Sequence, residues 1–249
     1  GKKYSDIIYA PYSEGVHDKE VVRSGAEFVN AKVNQAFDEL RKAGIISRSF
    51  PGQLVVDTIR QDFIRNLLIT EQTDPRWLLN ALDDERLRLA ERVLVRYGLN
   101  GDSTFRYTYS KTKALGPAQI MPLTYSYPVR TVRRGKKIRK IGGTGMVQVY
   151  SSANLIRDVN IGRVDMVNAI KAAILVCDDH MLPVINRVKN SGPRARQVFD
   201  SKNDDELDIV RAMIYNGGPG KYNIATGEVN PRSRGARETI DFVKKFKII

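Results

Sequence analysis

The side chains with the clearest potential for acid–base chemistry and hydrogen bonding are a carboxyl group, an amide and a tyrosine–asparagine pair. Glu71 stands in LLITEQTDP, where a helix is expected to end before Pro75 because the residue preceding a proline disfavours helical backbone. A carboxylate at that end faces the unfavourable pole of the helix dipole, so it costs stability unless something else requires it. Gln119 lies in ALGPAQIMPLTY, a stretch punctuated by Gly and Pro. Tyr215 and Asn216 precede the glycines of IYNGGPGKY, and a Gly-rich helix stop explains those glycines but not the pair before them.

The sequence contains few cysteine or histidine residues that could carry out thiol chemistry or bind a metal ion. Cys177 is the single cysteine, so it cannot form an intramolecular disulfide, and its setting in AAILVCDD is typical of a buried small apolar residue. The two histidines form no cluster with metal-ligand spacing. We therefore expect no metal site.

The elements that must position these side chains are mainly helices. Apolar residues recur at helical spacing from Val22 to Leu40, with Asp18 placed as a cap and Gly44 just past the end. Similar spacing predicts five more helices, at about 53–71, 82–97, 164–181, 204–215 and 236–246. Residues 127–150 instead alternate β-branched and basic residues around Gly135, which is typical of a hairpin with a solvated face. The prediction is a mainly α fold with a small β-hairpin excursion.

The charge balance favours a polyanionic partner. The chain has 41 Lys and Arg against 28 Asp and Glu, a formal charge of +13, which suits nucleic acid, anionic lipid or a bacterial cell wall. Seven of the eleven residues from Arg130 to Lys140 are basic, which fits either a phosphate-tracking ribbon or one solvated face. This run has no interleaved aromatic residues for base stacking, which argues against nucleic acid.

Length and hydropathy indicate a globular chain. The 249 residues, 42% of them hydrophobic, could form one large domain or two small ones with a sizeable core. No run of eighteen apolar residues occurs, and the first residues, GKKYSDIIYAPYS, lack the apolar stretch of a signal peptide. The chain is expected to be soluble as given.

Three segments resemble, in the same order, the soluble lytic transglycosylases and their relatives the goose-type lysozymes. SKTKALGPAQIMPLTY resembles the family segment S-x-x-G-A-x-G-L-M-Q-x-M-P-x-T-A, with matches at Ser110, Ala114, Gly116, Gln119, Met121, Pro122 and Thr124. IYNGGPGKY is similar to A-Y-N-A-G-P-G, and ETIDFVKKF, beginning at Glu238, is similar to E-T-R-x-Y-V-x-x-V. The resemblance spans residues 110–246, and in this family the first segment forms one wall of a sugar-binding cleft.

The resemblance implies a lysozyme-like α domain over residues 51–249, preceded by an N-terminal helical extension over residues 1–50. The family's catalytic acid is a Glu at the end of the first helix of the domain, and FIRNLLITEQTDP is the upstream match, which assigns that role to Glu71. Gln72 stands where the family usually has Ser. The interval to Ser110 exceeds the usual spacing, which implies a helical insertion at about 75–105.

The implied activity is cleavage of the β-1,4 bond between N-acetylmuramic acid and N-acetylglucosamine in peptidoglycan, without a cofactor. Glu71 would act first as general acid and then as base, leaving a 1,6-anhydro end. Tyr215 would hydrogen-bond and orient the Glu71 carboxyl group. Ser110, Gln119 and Asn216 would bind N-acetyl and hydroxyl groups. Glu238 would border the cleft, although the family's Arg and Tyr that follow it are replaced by Ile and Phe here.

The implied partner is a peptidoglycan glycan strand, and the implied location is the periplasm, the cell envelope or the cell exterior. A cation-rich surface would hold the enzyme on carboxylate- and phosphate-bearing wall polymers. Residues 1–50 lie outside the resemblance. Two interpretations stay open for them: a helix that docks on cell-envelope assembly proteins, and a part of a larger assembly.

Two other functions stay open on the same residues. A goose-type lysozyme-like hydrolase would use water in place of the sugar hydroxyl, with Asp74 or Asp83 as conceivable second carboxylates. A non-catalytic wall-binding or assembly protein would retain only the cleft, which the intact acid argues against. Glu85 and Glu91 are weaker candidates for the acid because they lie on the charged side of a predicted helix.

Overall fold

The computed structural model describes residues 9–134 and 137–249, and this part of the chain is mainly helical. It contains α1 (Lys19–Lys42), α2 (Gln61–Gln72), α3 (Pro75–Leu78), α4 (Asp83–Asn100), α5 (Pro122–Tyr125), α6 (Met146–Val149), α7 (Val159–Gly162), α8 (Met166–Lys189), α9 (Pro193–Asp200), α10 (Asp204–Gly217) and α11 (Ala236–Ile248). Across these ranges, no helix combines the length and apolar character needed to cross a membrane. The predicted mainly α class is confirmed.

Helix α8 is the centre of the core. Its residues are buried on nearly every side, and Ala169, Ile170, Ala173 and Ile174 have no exposed surface. A helix that is apolar all round is stable only when other elements surround it. Here α1, α2 and α10 pack against α8, which fixes the relative positions of the elements that carry the predicted site residues.

Helices α1 and α4 cross with their backbones in close contact. A Cβ atom at Gly25 would overlap the carbonyl of Leu94, and one at Gly98 would overlap the carbonyl of Val21. The aromatic rings of Phe28 and Tyr97 stack nearby with centroids 5.9 Å apart. The N-terminal helix and the helix of the predicted insertion therefore form one packed pair.

A buried carboxylate ties the segment before α2 to the central helix. Asp178 of α8 accepts hydrogen bonds from the Ser47 hydroxyl (2.5 Å), the Arg48 backbone N–H (2.7 Å) and the Tyr150 hydroxyl (2.6 Å). Asp178 is 2% exposed. Because burying a carboxylate is costly unless its oxygens are bonded, this network holds residues 45–50 in one arrangement.

Asp18 caps α1 as predicted, with its side chain accepting a hydrogen bond from the N–H of Glu20. The predicted start of the second helix near residue 53 is wrong, since α2 begins at Gln61 and a short 3₁₀ turn occupies Val55–Asp57. Residues 45–55 pair with each other instead, through bonds such as that from the Val55 N–H to the Ile45 carbonyl (2.8 Å). These pairs use backbone groups that a longer helix would need.

Helix α8 continues eight residues beyond its predicted end at Met181, through an internal proline. Val184, Ile185 and Val188 in this extension join a second buried cluster, and their packing outweighs the helix-breaking tendency of Pro183. The sequence did not predict α9 or the four-residue helices α3, α5, α6 and α7.

Two strands, β1 (Arg130–Arg134) and β2 (Lys137–Ile141), pair antiparallel with Arg130 opposite Ile141. Gly135 and Lys136, at the predicted turn, lie outside the described residues. The predicted extended stretch does not reach residue 150, because residues 146–149 form α6.

Candidate functional site

A single cleft brings together the polar residues singled out in the sequence. It lies between the end of α2, residues 110–121 (the cleft loop), α8, the end of α10 and the start of α11, and it encloses about 650 Å³ including its open mouth. All six predicted site residues border it: Glu71, Ser110, Gln119, Tyr215, Asn216 and Glu238. The remaining lining residues are Thr112, Ala114, Ile120, Met121, Thr124, Val176 and His180.

Glu71 is the penultimate residue of α2, and its side chain is half-buried in the cleft wall. Burial raises the pKa of its carboxyl group to about 8, the charge of Lys245 opposes that rise, and the charge of Glu238 adds to it. Within the described ranges, no hydrogen bond to the carboxyl group of Glu71 is formed. The raised pKa favours the protonated form of Glu71 near neutral pH, and this form can donate its proton to a ligand.

Tyr215 lies beside Glu71 but does not hydrogen-bond to it, contrary to the expectation from the sequence. Its hydroxyl donates to the backbone carbonyl of Ala118, 2.6 Å away, in the cleft loop. Burial raises the pKa of Tyr215 well above its usual value, and the nearby charge of Glu71 contributes to that rise. Tyr215 thus fixes the cleft loop relative to α10 in the immediate neighbourhood of Glu71.

The cleft loop has a tightly constrained backbone. Gly116 has a φ of +82°, and a Cβ atom there would overlap the carbonyl of Arg163. The Arg163 guanidinium donates to the carbonyls of Lys113 (2.9 Å) and Ile120 (3.0 Å). Only glycine fits at position 116, which explains this residue of the motif by close backbone approach.

Gln72 attaches the end of α2 to the same loop. Its side-chain amide donates to the carbonyls of Pro117 (2.9 Å) and Gly116 (3.2 Å). Gln72 therefore has a structural role: it links the end of α2, next to Glu71, to the cleft loop.

Gln119 presents an acceptor to the cleft. Both N–H groups of its amide are used on backbone carbonyls, that of Gly116 in the cleft loop (2.8 Å) and that of Thr108 just before it (3.0 Å), which leaves Oε1 for a ligand. Its φ of +47° is in the left-handed region, which non-glycine residues adopt rarely and often at binding sites.

Ser110 also borders the cleft, but its hydroxyl is partly engaged. Ser110 Oγ accepts from the N–H of Ala114 (2.9 Å) and lies 3.0 Å from the Thr112 hydroxyl. Its main contribution in this structure is therefore to shape the turn that begins the cleft loop.

Asn216 offers a second acceptor. Its Oδ1 atom is buried and has no hydrogen-bond partner in the described part of the protein. An unpaired buried acceptor in a native structure calls for an explanation, and a ligand N–H or O–H group would supply one.

His180 was not predicted as a site residue. It lies four residues after Val176 on the cleft-facing side of α8, and its Nδ1 is 2.9 Å from the Ile214 carbonyl. Since that carbonyl only accepts, Nδ1 carries the proton, and burial lowers the pKa of the ring. His180 is therefore neutral at neutral pH, with Nε2 as an acceptor.

Glu238 is exposed at the cleft rim, in the first turn of α11. The other carboxylates considered in the sequence do not line the cleft. Asp74 is bound by Arg76, which holds the pKa of Asp74 below its usual value, and Glu91 lies 2.9 Å from His17. Glu71 and Glu238 are thus the carboxyl groups that border this cleft within the described ranges.

Comparisons of the chain with protein-family models, with curated proteins and with solved structures found no match. In the part of the protein that the structure covers, no three His, Cys, Asp or Glu residues are grouped as metal ligands would be.

Proposed function

We propose that the protein is a peptidoglycan lytic transglycosylase with a lysozyme-like fold and a β-hairpin excursion, and that Glu71 is its catalytic acid and base. The observation that carries the proposal is the position of Glu71 in a cleft bordered by the five other residues that the family motifs single out, where burial raises the pKa of its carboxyl group. Perturbed titratable groups in clefts are typical of catalytic sites.

The proposed reaction needs one carboxyl group. Glu71 donates its proton to the glycosidic oxygen as the bond to muramoyl C1 breaks. The resulting carboxylate takes the proton of the C6 hydroxyl, whose oxygen bonds to C1 of the same sugar, so Glu71 returns to its protonated form. A nucleophile held on the same sugar has an effective molarity that solvent water does not reach.

The polar groups of the cleft suit an amide-bearing sugar. Asn216 Oδ1 and Gln119 Oε1 are acceptors without partners in the described residues, so they can receive the N–H of an N-acetyl group or a ring hydroxyl. Ala114 and Ile120 add apolar surface against which a sugar face can pack.

The proposed substrate sets the proposed location and partners. Peptidoglycan lies outside the cytoplasmic membrane, so the protein would act in the periplasm, the cell envelope or the cell exterior. The formal charge of +13 would favour association with the anionic wall.

Hydrolysis on the same fold is the second candidate, and it is favoured by Glu238, the other carboxyl group at the cleft. In that reaction Glu238 would hold the attacking water. Asp74 and Asp83, considered from the sequence, are less suited because neither lines the cleft.

Digestion of purified sacculi tests the proposal. The released muropeptides should end in 1,6-anhydro-N-acetylmuramic acid, and their masses should be lower by one water than those of hydrolytic products. Reducing muramic acid ends would show that the protein is a hydrolase, and no cleavage would favour a non-catalytic role.

Glu71→Gln should abolish the cleavage while keeping the fold, because the amide retains the shape and removes the titrating proton. Glu85→Gln is the matched control, since Glu85 is exposed on α4 and outside the cleft. If Glu71→Gln retained more than a few per cent of the activity, the acid would have to lie elsewhere.

A further inference from the structure

Lys245 of α11 is a buried cation. It is 4% exposed, and its Nζ donates a hydrogen bond of 2.7 Å to the backbone carbonyl of Thr73. Nζ also lies 5.3 Å from the centroid of the Phe242 ring. Lysine is almost never this deeply buried without a charged partner, so the position calls for a reason.

The contacts of Lys245 place it beside the candidate acid. Thr73 is the residue that caps the C-terminal end of α2, directly after Gln72, so the hydrogen bond fixes the backbone two residues beyond Glu71. Glu238 lies seven residues before Lys245, on the same side of α11. This side of α11 therefore places Glu238 at the cleft rim and Lys245 close to Glu71 but outside the cleft lining.

Lys245 and the neighbouring carboxyl groups influence one another's protonation. Burial lowers the pKa of the Lys245 ammonium group, and the charges of Glu71 and Asp74 oppose that fall. The cation in turn limits the rise in the pKa of Glu71, and Glu238 increases that rise. From the other packed elements, Tyr215 of α10 faces Glu71, and His180 of α8 borders the same cleft.

We propose that Lys245 is a positioning residue for the reaction: it holds the end of α2 through Thr73 and stabilises the Glu71 carboxylate that forms when the acid has given up its proton. This inference rests on the proposed function for its catalytic consequence. Its electrostatic part concerns Glu71 alone and holds with or without a substrate.

Such a cation solves a specific problem of a single-carboxylate mechanism. Burial keeps Glu71 protonated and ready to donate, but the same burial destabilises the carboxylate present in the middle of the cycle. An ammonium group that is close to the carboxyl group but does not line the cleft stabilises that anion without occupying the space that a sugar needs.

Lys245→Met tests the charge, and Lys244→Met is the matched control because Lys244 is the exposed neighbour on the same helix. The carboxyl carbon resonance of Glu71, identified by its loss in Glu71→Gln, is followed by NMR as the pH is raised. We expect Lys245→Met to raise the titration midpoint of Glu71 by about one pH unit, whereas Lys244→Met leaves it within a few tenths of a unit.

Activity on sacculi gives the second readout. In Lys245→Met the alkaline limb of the pH profile should move up with the NMR midpoint, and kcat near neutral pH should fall roughly tenfold. Lys245→Arg keeps a cation, so the titration midpoint of Glu71 in this variant should stay close to that of the unmodified protein. Lys245→Gln keeps an N–H donor without the charge, so it should retain the raised midpoint even if the fold tolerates Met poorly.

The outcomes separate the two proposals. An unshifted NMR midpoint in folded Lys245→Met and Lys245→Gln would overturn the role of Lys245, whatever the activity. A shifted midpoint in a protein that does not cleave sacculi would support the role of Lys245 as a stabiliser of the Glu71 carboxylate and reject the proposed function. A lower kcat in Lys245→Met with no change in the pH profile would reduce Lys245 to a structural cap of α2.

Discussion

The hydroxyl of Tyr215 and the carbonyl of Ala118 lie 2.6 Å apart and join the last turns of α10 to the cleft loop. The two residues are 97 positions apart in the sequence, and Tyr215 lies beside the candidate acid. Tyr215 therefore acts on the cleft by holding its wall in place, and the carboxyl group of Glu71 is left without a protein donor among the described residues.

Tyr215→Phe should loosen this wall. The change leaves the Ala118 carbonyl without its partner, which we expect to cost about 1–2 kcal/mol of unfolding free energy. Urea unfolding measures that cost, and Tyr222→Phe is the control because the buried hydroxyl of Tyr222 has no partner in the described protein. Cleavage should slow with the anhydro product unchanged, since the nucleophile is set by the sugar. An equal loss of stability in both variants would contradict the role of the bond.

The raised pKa of Glu71 should make stability depend on pH. Between the ordinary value of 4.5 and the folded value of about 8, the unfolded chain has lost this proton and the folded protein retains it. Unfolding free energy contributed by Glu71 therefore falls as the pH rises through this window. Glu71→Gln removes the effect, so its stability relative to the parent should increase steadily from pH 5 to 8 and then level off. A stability difference that stays constant in urea titrations over this range would show that Glu71 is not perturbed.

Gly116→Ala should distort the cleft loop. A methyl group at this position meets the Arg163 carbonyl and must also adopt a positive φ, so a loss of about 2 kcal/mol or more is expected. Gly192→Ala is the control, because Gly192 has open space around it and an ordinary φ of −65°. Thermal or urea unfolding of the two variants compares them. Equal stabilities would mean that the loop moves freely enough to accept the methyl group.

Association with the wall should weaken as salt rises. The seven basic residues between Arg130 and Lys140 would bind a polyanionic surface through interactions that are screened over about 8 Å at physiological ionic strength. Replacing all seven with Gln should flatten the salt dependence of co-sedimentation with sacculi. A variant that loses the same number of Lys and Arg residues elsewhere controls for net charge. Unchanged binding after replacement of the run would show that these basic residues form a solvated face and do not bind the wall.

Local signals in the sequence were sufficient to predict most of the helices. Asp18 is recognisable as a cap because an N-cap side chain bonds to an N–H only two residues away. The predicted start of α2 was wrong because residues 45–55 pair with each other through their backbones. The spacing of apolar residues does not reveal that this pairing is preferred over a longer helix. The mainly α class follows from the periodicity, since it depends on many residues and survives errors at individual helix ends.

The residues of the candidate site also fall into two groups, those that the sequence could predict and those that it could not. Gln119, Tyr215 and Asn216 could be predicted because they sit in short segments with an unusual composition. Lys245 could not, because a lysine in an amphipathic helix is normally a solvated residue, and it is the packing of α11 against α10, α2 and α3 that buries this side of the helix. His180 was missed for a similar reason, since the bond from Nδ1 to Ile214 depends on how α8 meets α10.

Because α1 and α4 cross in close contact, the chain cannot be shortened at its N-terminal end without exposing the core. The apolar side of α1, including Val33 and Phe37, is already covered by the rest of the protein, so it is not available as a free docking surface. A chain shortened to begin at residue 51 would uncover α4 and part of α8 together, and the remainder would present a large apolar face to solvent. The N-terminal helix is thus an integral part of the packed structure. Any partner that binds to it must contact its polar, solvent-facing side.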